Sequence, residues 1–229
     1  MTSNAEFRPR LLLVAIDGPS GAGKGTVARA VAERLKYRHV DTGAMYRAVA
    51  WKAVEENLDL SDADALAALA ARLKIDLGDG MISVDGQDVR TAIRTPQIDS
   101  AAAAVARQPR VREVLIAQQR EMGAGGGVVM EGRDIGTVVF PGADVKIYLD
   151  ASPEERARRR AQDPAHAAGK GGLPVQDVAS ALAARDRSDT TRATSPLALA
   201  ADAVLIDTTG LSIDEAVDRV IALVHERGR

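Results

Sequence analysis

Short apolar runs recur along this chain and are separated by longer stretches rich in alanine and arginine. Four runs have the length and composition of buried strands: Leu11–Asp17, Val128–Glu131, Val145–Asp150 and Ala203–Asp207. The stretches between them have helical character. Because such alternation is typical of a parallel sheet with helices on both faces, the pattern predicts an α/β core.

The pattern changes between about Ser61 and Gln108. An Ala/Leu-rich helix is followed there by three short runs, at residues 74–77, 81–84 and 87–89. Asp85-Gly86 separates two of these runs, and Asp-Gly between short apolar runs is a hairpin signal. The segment is therefore predicted to form a small antiparallel insertion in the parallel fold.

A glycine-rich loop connects the first apolar run to the helix-like run Val27–Lys36. Its residues are Gly18, Pro19, Ser20, Gly21, Ala22, Gly23, Lys24, Gly25 and Thr26. Glycines allow backbone N–H groups to converge on phosphate oxygens, and the Lys24 ammonium can reach the β- and γ-phosphates of a nucleotide. The strand before the loop and the helix after it favour this interpretation over an ordinary glycine-rich turn. The loop indicates chemistry on a nucleoside triphosphate.

One position departs from the usual phosphate-loop pattern. Gly25 follows Lys24 where serine or threonine is expected, and Thr26 comes one residue later. Thr26 is therefore the candidate contact with Mg²⁺, either directly or through a water molecule. A loop that ends in Gly-Lys-Gly-Thr is similar to that of nucleoside monophosphate kinases rather than that of switch GTPases.

A second irregular region, residues 162–174, is rich in alanine, glycine and proline. It lies between an arginine-dense helix that starts near Ser152 and a helix that is predicted to end at residues 185–187. A surface linker is the simple interpretation. Beside a phosphate site, however, a mobile flap that carries arginines is predicted to be a lid that excludes water.

Composition limits the classes of function. The chain has 229 residues and a net charge of −2, so no basic field would capture nucleic acid nonspecifically. The absence of cysteine excludes disulfides and fits a cytoplasmic protein. The run Leu11–Ile16 is too short to span a membrane. We therefore expect that the protein binds neither nucleic acid nor membranes. We also expect a monomer, because no heptad pattern indicates assembly.

Arginines occur at the ends of predicted strands and beside the predicted lid. They are Arg47, Arg112, Arg133, Arg156, Arg158, Arg159, Arg160, Arg185, Arg187 and Arg192. For any one of them a solvated helix face is the simpler explanation. Phosphoryl transfer requires positioning and positive charge, so their placement favours phosphate binding for a subset. Asp134, which follows a predicted strand, could be a helix cap or a group that reads a ligand.

Several segments, in order along nearly the whole chain, resemble those of bacterial cytidylate kinases. They are residues 18–26, 41–47, 93–95, 109–112, 132–141 and 185–192. The block 132–141 and the insertion are the most discriminating, because many kinases share the phosphate loop. The resemblance implies that ATP and CMP or dCMP are the partners and that the γ-phosphoryl group is transferred with Mg²⁺ as cofactor.

The resemblance also implies roles for the matching residues. Catalytic roles fall to Lys24, Arg133 and Arg192, and lid roles to Arg156, Arg159 and Arg160. The residues implied to bind the monophosphate are Thr42, Arg47 and Arg133 for its phosphate, Arg112 and Asp134 for cytosine, and Arg185 and Asp189 for the sugar. Where the family has a serine near the base this chain has Ala103, and Ser100, one helical turn away, is the expected substitute.

The implied fold class is α/β: a P-loop NTPase fold with a parallel core sheet flanked by helices. A small antiparallel β insertion would lie in the region that binds the nucleoside monophosphate, and an arginine-rich lid would cover the site. The single domain would comprise a core (residues 10–40, 105–155 and 193–229), the acceptor-binding region (41–104) and the lid (156–192).

Other functions stay open on the sequence. A kinase for AMP or UMP would use the same loop and lid, although the insertion and the pair Arg112 and Asp134 count against it. A GTP-dependent switch predicts a guanine-specificity motif and a serine or threonine after Lys24, and the sequence has neither. The insertion could also dock a protein partner.

Overall fold

Eight strands and eight α-helices make up the part of the chain that the computed structural model describes, residues 10–78, 80–163 and 174–228. The strands are β1 (Leu13–Asp17), β2 (Arg38–Asp41), β3 (Ile75–Gly78), β4 (Met81–Val84), β5 (Gln87–Asp88), β6 (Val128–Glu131), β7 (Val145–Asp150) and β8 (Val204–Asp207). The helices are α1 (Lys24–Leu35), α2 (Thr42–Glu55), α3 (Ala63–Arg72), α4 (Pro96–Val105), α5 (Pro109–Gly123), α6 (Pro153–Gln162), α7 (Val175–Thr191) and α8 (Ile213–Arg227). A short π-helical turn spans Ile135–Val139.

The core is a five-stranded parallel sheet in the order β2-β6-β1-β7-β8. All residues of its central strand, β1, are buried, because helices cover both faces. Side chains such as Ala15 and Met130 pack with α2 to α5 on one face. Val14, Ile16 and Ile147 pack with α1 and α8 on the other. The predicted α/β core is confirmed.

Strand β2 was not predicted from the sequence. Of its four residues only Val40 is buried, while Arg38 is exposed and His39 and Asp41 are partly exposed. A strand of this composition contains no apolar run, so periodicity does not reveal it. Its pairing with β6 places Asp41 beside Glu131 at the carboxyl edge of the sheet.

The predicted antiparallel insertion is confirmed as the three-stranded sheet β3-β4-β5. Its Asp-Gly turn has positive φ at both residues, 51° at Asp85 and 84° at Gly86, as a tight hairpin with native twist requires. The Arg38 guanidinium donates to the Leu77 carbonyl at 3.0 Å. This bond ties the insertion to the core sheet.

Helices α6 and α7 form the arginine-rich region. The Ser152 hydroxyl caps α6 by accepting from the Glu155 N–H at 3.2 Å. The prediction that the next helix ends at residues 185–187 is wrong, since α7 continues to Thr191 and carries Arg185 and Asp189 one turn apart. The core of the predicted flap, residues 164–173, lies outside the described residues. Among the described helices, none is long and apolar enough to cross a membrane.

Candidate active site

A cleft of about 1580 Å³ opens at the carboxyl ends of the parallel strands. It is lined by the phosphate loop, by the segment from α2 to α5, and by α6 and α7. The predicted site residues all line it except Gly18, Pro19 and Arg156. Ligands of open α/β sheets bind at this edge, where loops from neighbouring strands diverge.

The phosphate loop requires glycine where it approaches other backbone segments. A Cβ on Gly18 would lie 1.9 Å from the Leu149 carbonyl oxygen, and one on Gly21 would lie 2.9 Å from that of Arg156. Both residues have positive φ. The loop is therefore held close to β7 and α6, and its last residues begin α1, whose N-terminal N–H groups suit an anion.

Lys24 is buried at the base of the loop. Its ammonium donates to the Pro19 carbonyl at 2.7 Å. Burial, and after it the positive charge of Arg133, lowers the pKa of Lys24 well below its usual value. Pro19 therefore acts inside the loop, as the acceptor that holds the Lys24 side chain.

Glu131 and His39 were not among the predicted site residues. Glu131 ends β6, is 6% exposed, and its Oε1 lies 3.0 Å from His39 Nε2. A Cβ on Gly25 would lie 3.2 Å from the same oxygen, which is a tight contact. Glu131 therefore fills the space behind Gly25 and explains a small residue there. Its position at a strand end was a signal in the sequence, whereas His39 lies in the unpredicted β2.

Asp17, at the end of β1, supports the segment that carries Arg133 and Asp134. Its two carboxylate oxygens accept from the N–H groups of Ile135 at 2.8 Å and Gly136 at 2.7 Å. Burial raises the pKa of Asp17 to about 6, although the two hydrogen bonds act in the opposite direction. The carboxylate is thus used inside the protein to fix the turn after Asp134.

A buried polar cluster lines the same cleft as Lys24. Arg112 donates to Asp134 at 2.5 Å, and the Arg112 guanidinium carbon is 5.4 Å from the centre of the Tyr46 ring. The Asp134 side chain caps no helix, so the capping interpretation of this residue is wrong. Within the described residues, Arg112 Nε and Arg192 Nη2 are buried without a hydrogen-bond partner.

Arg192 lies with this polar cluster. Its guanidinium nitrogens are 3.6 Å from Asp134 and 3.7 Å from Asp189, and its Nε donates to the Ser195 carbonyl at 2.6 Å. The sequence resemblance implied a role on the transferred phosphoryl group. The structure instead surrounds Arg192 with the residues expected to read the base and the sugar.

Four arginines converge between the loop and the polar cluster: Arg47, Arg133, Arg160 and Arg185. Arg47 donates to Asp99 at 2.7 Å, Arg133 to Asp189 at 2.9 Å, and Arg160 to the Ser20 hydroxyl at 2.6 Å. Burial and then the neighbouring cations lower the pKa values of Arg160 and Arg185 to about 10. The protein concentrates positive charge where it is partly desolvated, as an anion site requires. Asp99 was not predicted.

The remaining predicted residues differ in how they face the cleft. Arg156 pairs with Asp186 and donates to the Ser20 carbonyl at 3.2 Å, so it braces the loop from outside the cleft. Arg159 donates to the Thr208 carbonyl at 2.7 Å and lines the cleft. The Thr42 hydroxyl donates to the Glu131 carbonyl at 2.7 Å. Ser100 is exposed on α4, and both it and Ala103 line the cleft.

Known proteins resemble this chain in sequence and in fold. A family model described as cytidylate kinase matches residues 14–226. A cytidylate kinase of Solibacter usitatus (strain Ellin6076) is 47% identical over 97% of this chain and 96% of its own length. One of Pelotomaculum thermopropionicum is 49% identical over 92% of this chain and 95% of its own length. The crystal structure of shikimate kinase from Bacteroides thetaiotaomicron superposes with a TM-score of 0.52 over 94% of this chain and 99% of that chain, at 12% identity. This likeness confirms the P-loop kinase fold.

Proposed function

Because this chain belongs to the cytidylate kinase family, we propose that it transfers the γ-phosphoryl group of ATP to CMP or dCMP, giving ADP and CDP or dCDP. One observation carries the proposal. A single cleft is lined by a phosphate loop, by a buried arginine–carboxylate pair and by a group of four arginines. One of these arginines, Arg160, contacts the loop through Ser20, and another, Arg133, pairs with Asp189. A triphosphate donor and a monophosphate acceptor together require these three kinds of group.

The donor phosphates would bind the loop and the N-terminus of α1. Lys24 and the backbone N–H groups of the loop would neutralise charge that develops on the transferred group. Arg159 and Arg160 approach from α6 and would cover the same phosphates. The Lys24, Arg159 and Arg160 side chains are each already oriented by a contact inside the protein, which lowers the entropy lost on binding.

The acceptor phosphate would lie between Arg47 and Arg133. Asp99 and Asp189 hold these two guanidinium groups at 2.7 Å and 2.9 Å, so that their remaining N–H groups can fix the attacking oxygen in line. The Thr42 hydroxyl is engaged with Glu131, so we assign the backbone at the start of α2 to this phosphate. No catalytic base is required, because the attacking phosphate oxygen is already anionic.

The base would be read by Arg112 and Asp134. Cytosine has an exocyclic amine that donates to a carboxylate, and a ring nitrogen and carbonyl that accept from a guanidinium. Uracil has a carbonyl in place of the amine, and a carboxylate facing that oxygen is left unpaired, at a cost of about 1–3 kcal/mol. Among the described residues, Arg112 Nε is a buried donor without a hydrogen-bond partner, which supports this assignment.

The sugar would lie beside α7, next to Arg185 and Asp189. Arg192 connects this subsite to the base subsite, because it lies within 4 Å of both Asp134 and Asp189. We therefore assign Arg192 to the acceptor side of the cleft.

Mg²⁺ is the expected cofactor, and the donor set beside the loop fits it. The Thr26 hydroxyl and the Glu131 carboxylate line the cleft next to Lys24, and hard oxygen ligands suit this ion. These two residues would hold the metal together with the substrate phosphates, directly or through water. When bound, the ion would neutralise negative charge on the oxygens that bridge the substrate phosphates.

Thermal unfolding in the presence of single nucleotides tests this function. We expect CMP alone and ATP alone each to raise the melting temperature, because the two ligands occupy different parts of the cleft; a ligand at a hundredfold excess over its Kd contributes about 2.7 kcal/mol. Stabilisation by GTP or GDP alone would instead support a nucleotide-dependent switch. Stabilisation by AMP or UMP in preference to CMP would assign another acceptor.

A further inference from the structure

Thr208 is a buried polar residue to which the proposed reaction assigns no role. It comes directly after the last residue of β8, is 2% exposed, and forms part of the wall of the cleft. A hydroxyl is costly to bury unless it is hydrogen-bonded. The partners of this hydroxyl therefore indicate why a threonine is present.

The Thr208 hydroxyl contacts three other segments of the protein. It donates to the Asp150 carbonyl, at the end of β7, at 2.8 Å, and the Ala22 carbonyl of the phosphate loop lies 3.3 Å from the same oxygen. It accepts from Arg159 Nη1, on α6, at 2.9 Å. A hydroxyl can donate to a carbonyl and accept from a guanidinium at the same time, whereas a valine of the same shape can do neither.

The Arg159 guanidinium is held by three hydrogen bonds. Besides the bond to the Thr208 hydroxyl, its Nη2 donates to the Thr208 carbonyl at 2.7 Å, and its Nε donates to Glu155 at 2.7 Å. A guanidinium has five N–H groups. Within the part of the chain that the structure describes, two N–H groups of Arg159 therefore remain for a ligand.

Arg159 also lies against the phosphate loop. A Cβ on Gly23 would lie only 3.6 Å from Arg159 Nη1, and this is the nitrogen that the Thr208 hydroxyl accepts from. Gly23 directly precedes α1, whose N-terminal N–H groups suit an anion. The orientation of Nη1 thus determines whether its second N–H group can donate to an anion in the loop.

We propose that Thr208 is a positioning residue for the phosphates of ATP: its hydroxyl and carbonyl fix the Arg159 guanidinium beside the phosphate loop. The inference rests on the proposed function, which places the donor phosphates in this loop. Without the hydroxyl, Arg159 keeps its charge but loses one of the bonds that orient it. The side chain then has more conformations to lose when ATP binds, which weakens binding.

The test compares three variants in the segment after β8. Thr208→Val keeps the shape of the side chain and removes the hydroxyl, whereas Thr208→Ser keeps the hydroxyl. Thr209→Val is the matched control, because the neighbouring Thr209 hydroxyl accepts from the Ser152 N–H at 2.8 Å but lies outside the lining of the cleft. Calorimetric Kd values and KM values for ATP and for CMP, kcat and the melting temperature are measured for each.

We expect Thr208→Val to raise Kd and KM for ATP about tenfold and to leave Kd for CMP within about twofold, because Arg159 lies on the donor side. Thr208→Ser is expected to bind both nucleotides as the unmodified protein does. Thr209→Val is expected to lower the melting temperature and leave Kd for ATP unchanged. In an Arg159→Met background, Thr208→Val should cause no further loss of ATP binding, because both changes remove the same contact.

An unchanged Kd for ATP in Thr208→Val overturns the proposal, as does equal weakening of ATP and CMP binding, which a merely structural role would cause. A further loss in the Arg159→Met background, or the same loss in Thr208→Ser, also overturns it. If Thr208→Val does not fold, Thr208→Ala decides the question with the same expectations, since it places no methyl group against the Asp150 carbonyl.

Failure of the proposed function is recognised separately. If the unmodified protein binds ATP but forms no ADP in response to CMP, the proposed acceptor is wrong, and the ATP measurements on the variants still test Thr208. If the unmodified protein does not bind ATP, both the proposed function and the role of Thr208 are overturned.

Discussion

Arg112 donates a 2.5 Å hydrogen bond to Asp134, and the two side chains are only 3% and 8% exposed. A pair of charges this well buried adds little net stability, but removal of one partner leaves the other uncompensated and costs about 3–5 kcal/mol. The pair is therefore best explained by the hydrogen-bonding groups that it presents to a ligand in the cleft. Variants that test it must keep a polar group at each position.

Asp134→Asn is expected to reduce the ratio of kcat/KM for CMP to that for UMP by roughly 10- to 100-fold. The asparagine can turn an N–H toward the uracil carbonyl, which the carboxylate cannot do. Steady-state kinetics with the two acceptors measure the ratio. Asp202→Asn is the control, since Asp202 pairs with Lys146 outside the cleft. An unchanged ratio in Asp134→Asn would leave Asp134 as a structural partner of Arg112.

Lys24→Met is expected to lower kcat by about 10³-fold or more, because several kcal/mol of transition-state stabilisation are lost at 1.36 kcal/mol per tenfold. The fold should persist, since the Lys24 ammonium is bonded only to the Pro19 carbonyl among the described residues. Lys52→Met, on the surface of α2, should retain activity. Activity near that of the unmodified protein in a folded Lys24→Met variant would contradict the phosphate-loop assignment.

Asp17 makes the stability depend on pH in an unusual direction. Burial raises its pKa from 3.8 to about 6 in the folded protein, so the folded state binds this proton more tightly than the unfolded state. The contribution of Asp17 is therefore most favourable below pH 4 and is lost as pH rises through 6, by roughly 3 kcal/mol at 1.36 kcal/mol per pH unit.

Urea unfolding of the unmodified protein and of Asp17→Asn between pH 4 and pH 7 measures this contribution. We expect the stability of the unmodified protein to decline over this range relative to that of the variant, in which position 17 does not titrate. Parallel pH profiles for the two proteins would show that Asp17 ionises at its ordinary pKa.

The arginine cluster is expected to lower the free energy of unfolding while it strengthens the binding of CMP. Arg185 is mostly desolvated beside Arg133 and Arg47, which lowers its pKa to about 10. Arg185→Met should therefore raise the free energy of unfolding by about 1 kcal/mol while raising KM for CMP tenfold or more. Arg187→Met, exposed on the same helix, should change neither. Equal loss of stability in both variants would contradict this account of the cluster.

The sequence predicted those parts of the fold that depend on local pattern. Strands β1, β6 and β7 are apolar runs because both faces of the sheet are covered, and the insertion was evident from its Asp-Gly turn. Strand β2 has one buried residue, Val40, and no local signal distinguishes it from a loop. The end of α7 was misplaced because the sequence between Arg187 and Arg192 contains no helix-breaking residue that would mark where the helix ends.

The candidate site was predictable in its residue types and only partly in its geometry. The phosphate loop and the arginines could be named because glycine and arginine have specific uses at phosphate sites. The pairings Arg47–Asp99 and Arg133–Asp189 join residues 52 and 56 positions apart. Such contacts depend on how helices pack, which periodicity does not specify.

Acceptor specificity tests the central claim most directly. The measurement is ADP formation from ATP and Mg²⁺ by the purified protein, with CMP, dCMP, UMP, AMP and GMP offered one at a time. The account predicts rapid ADP formation with CMP or dCMP and at least tenfold slower formation with each of the other three. Preference for another monophosphate, or ADP formation that does not depend on any acceptor, would contradict it.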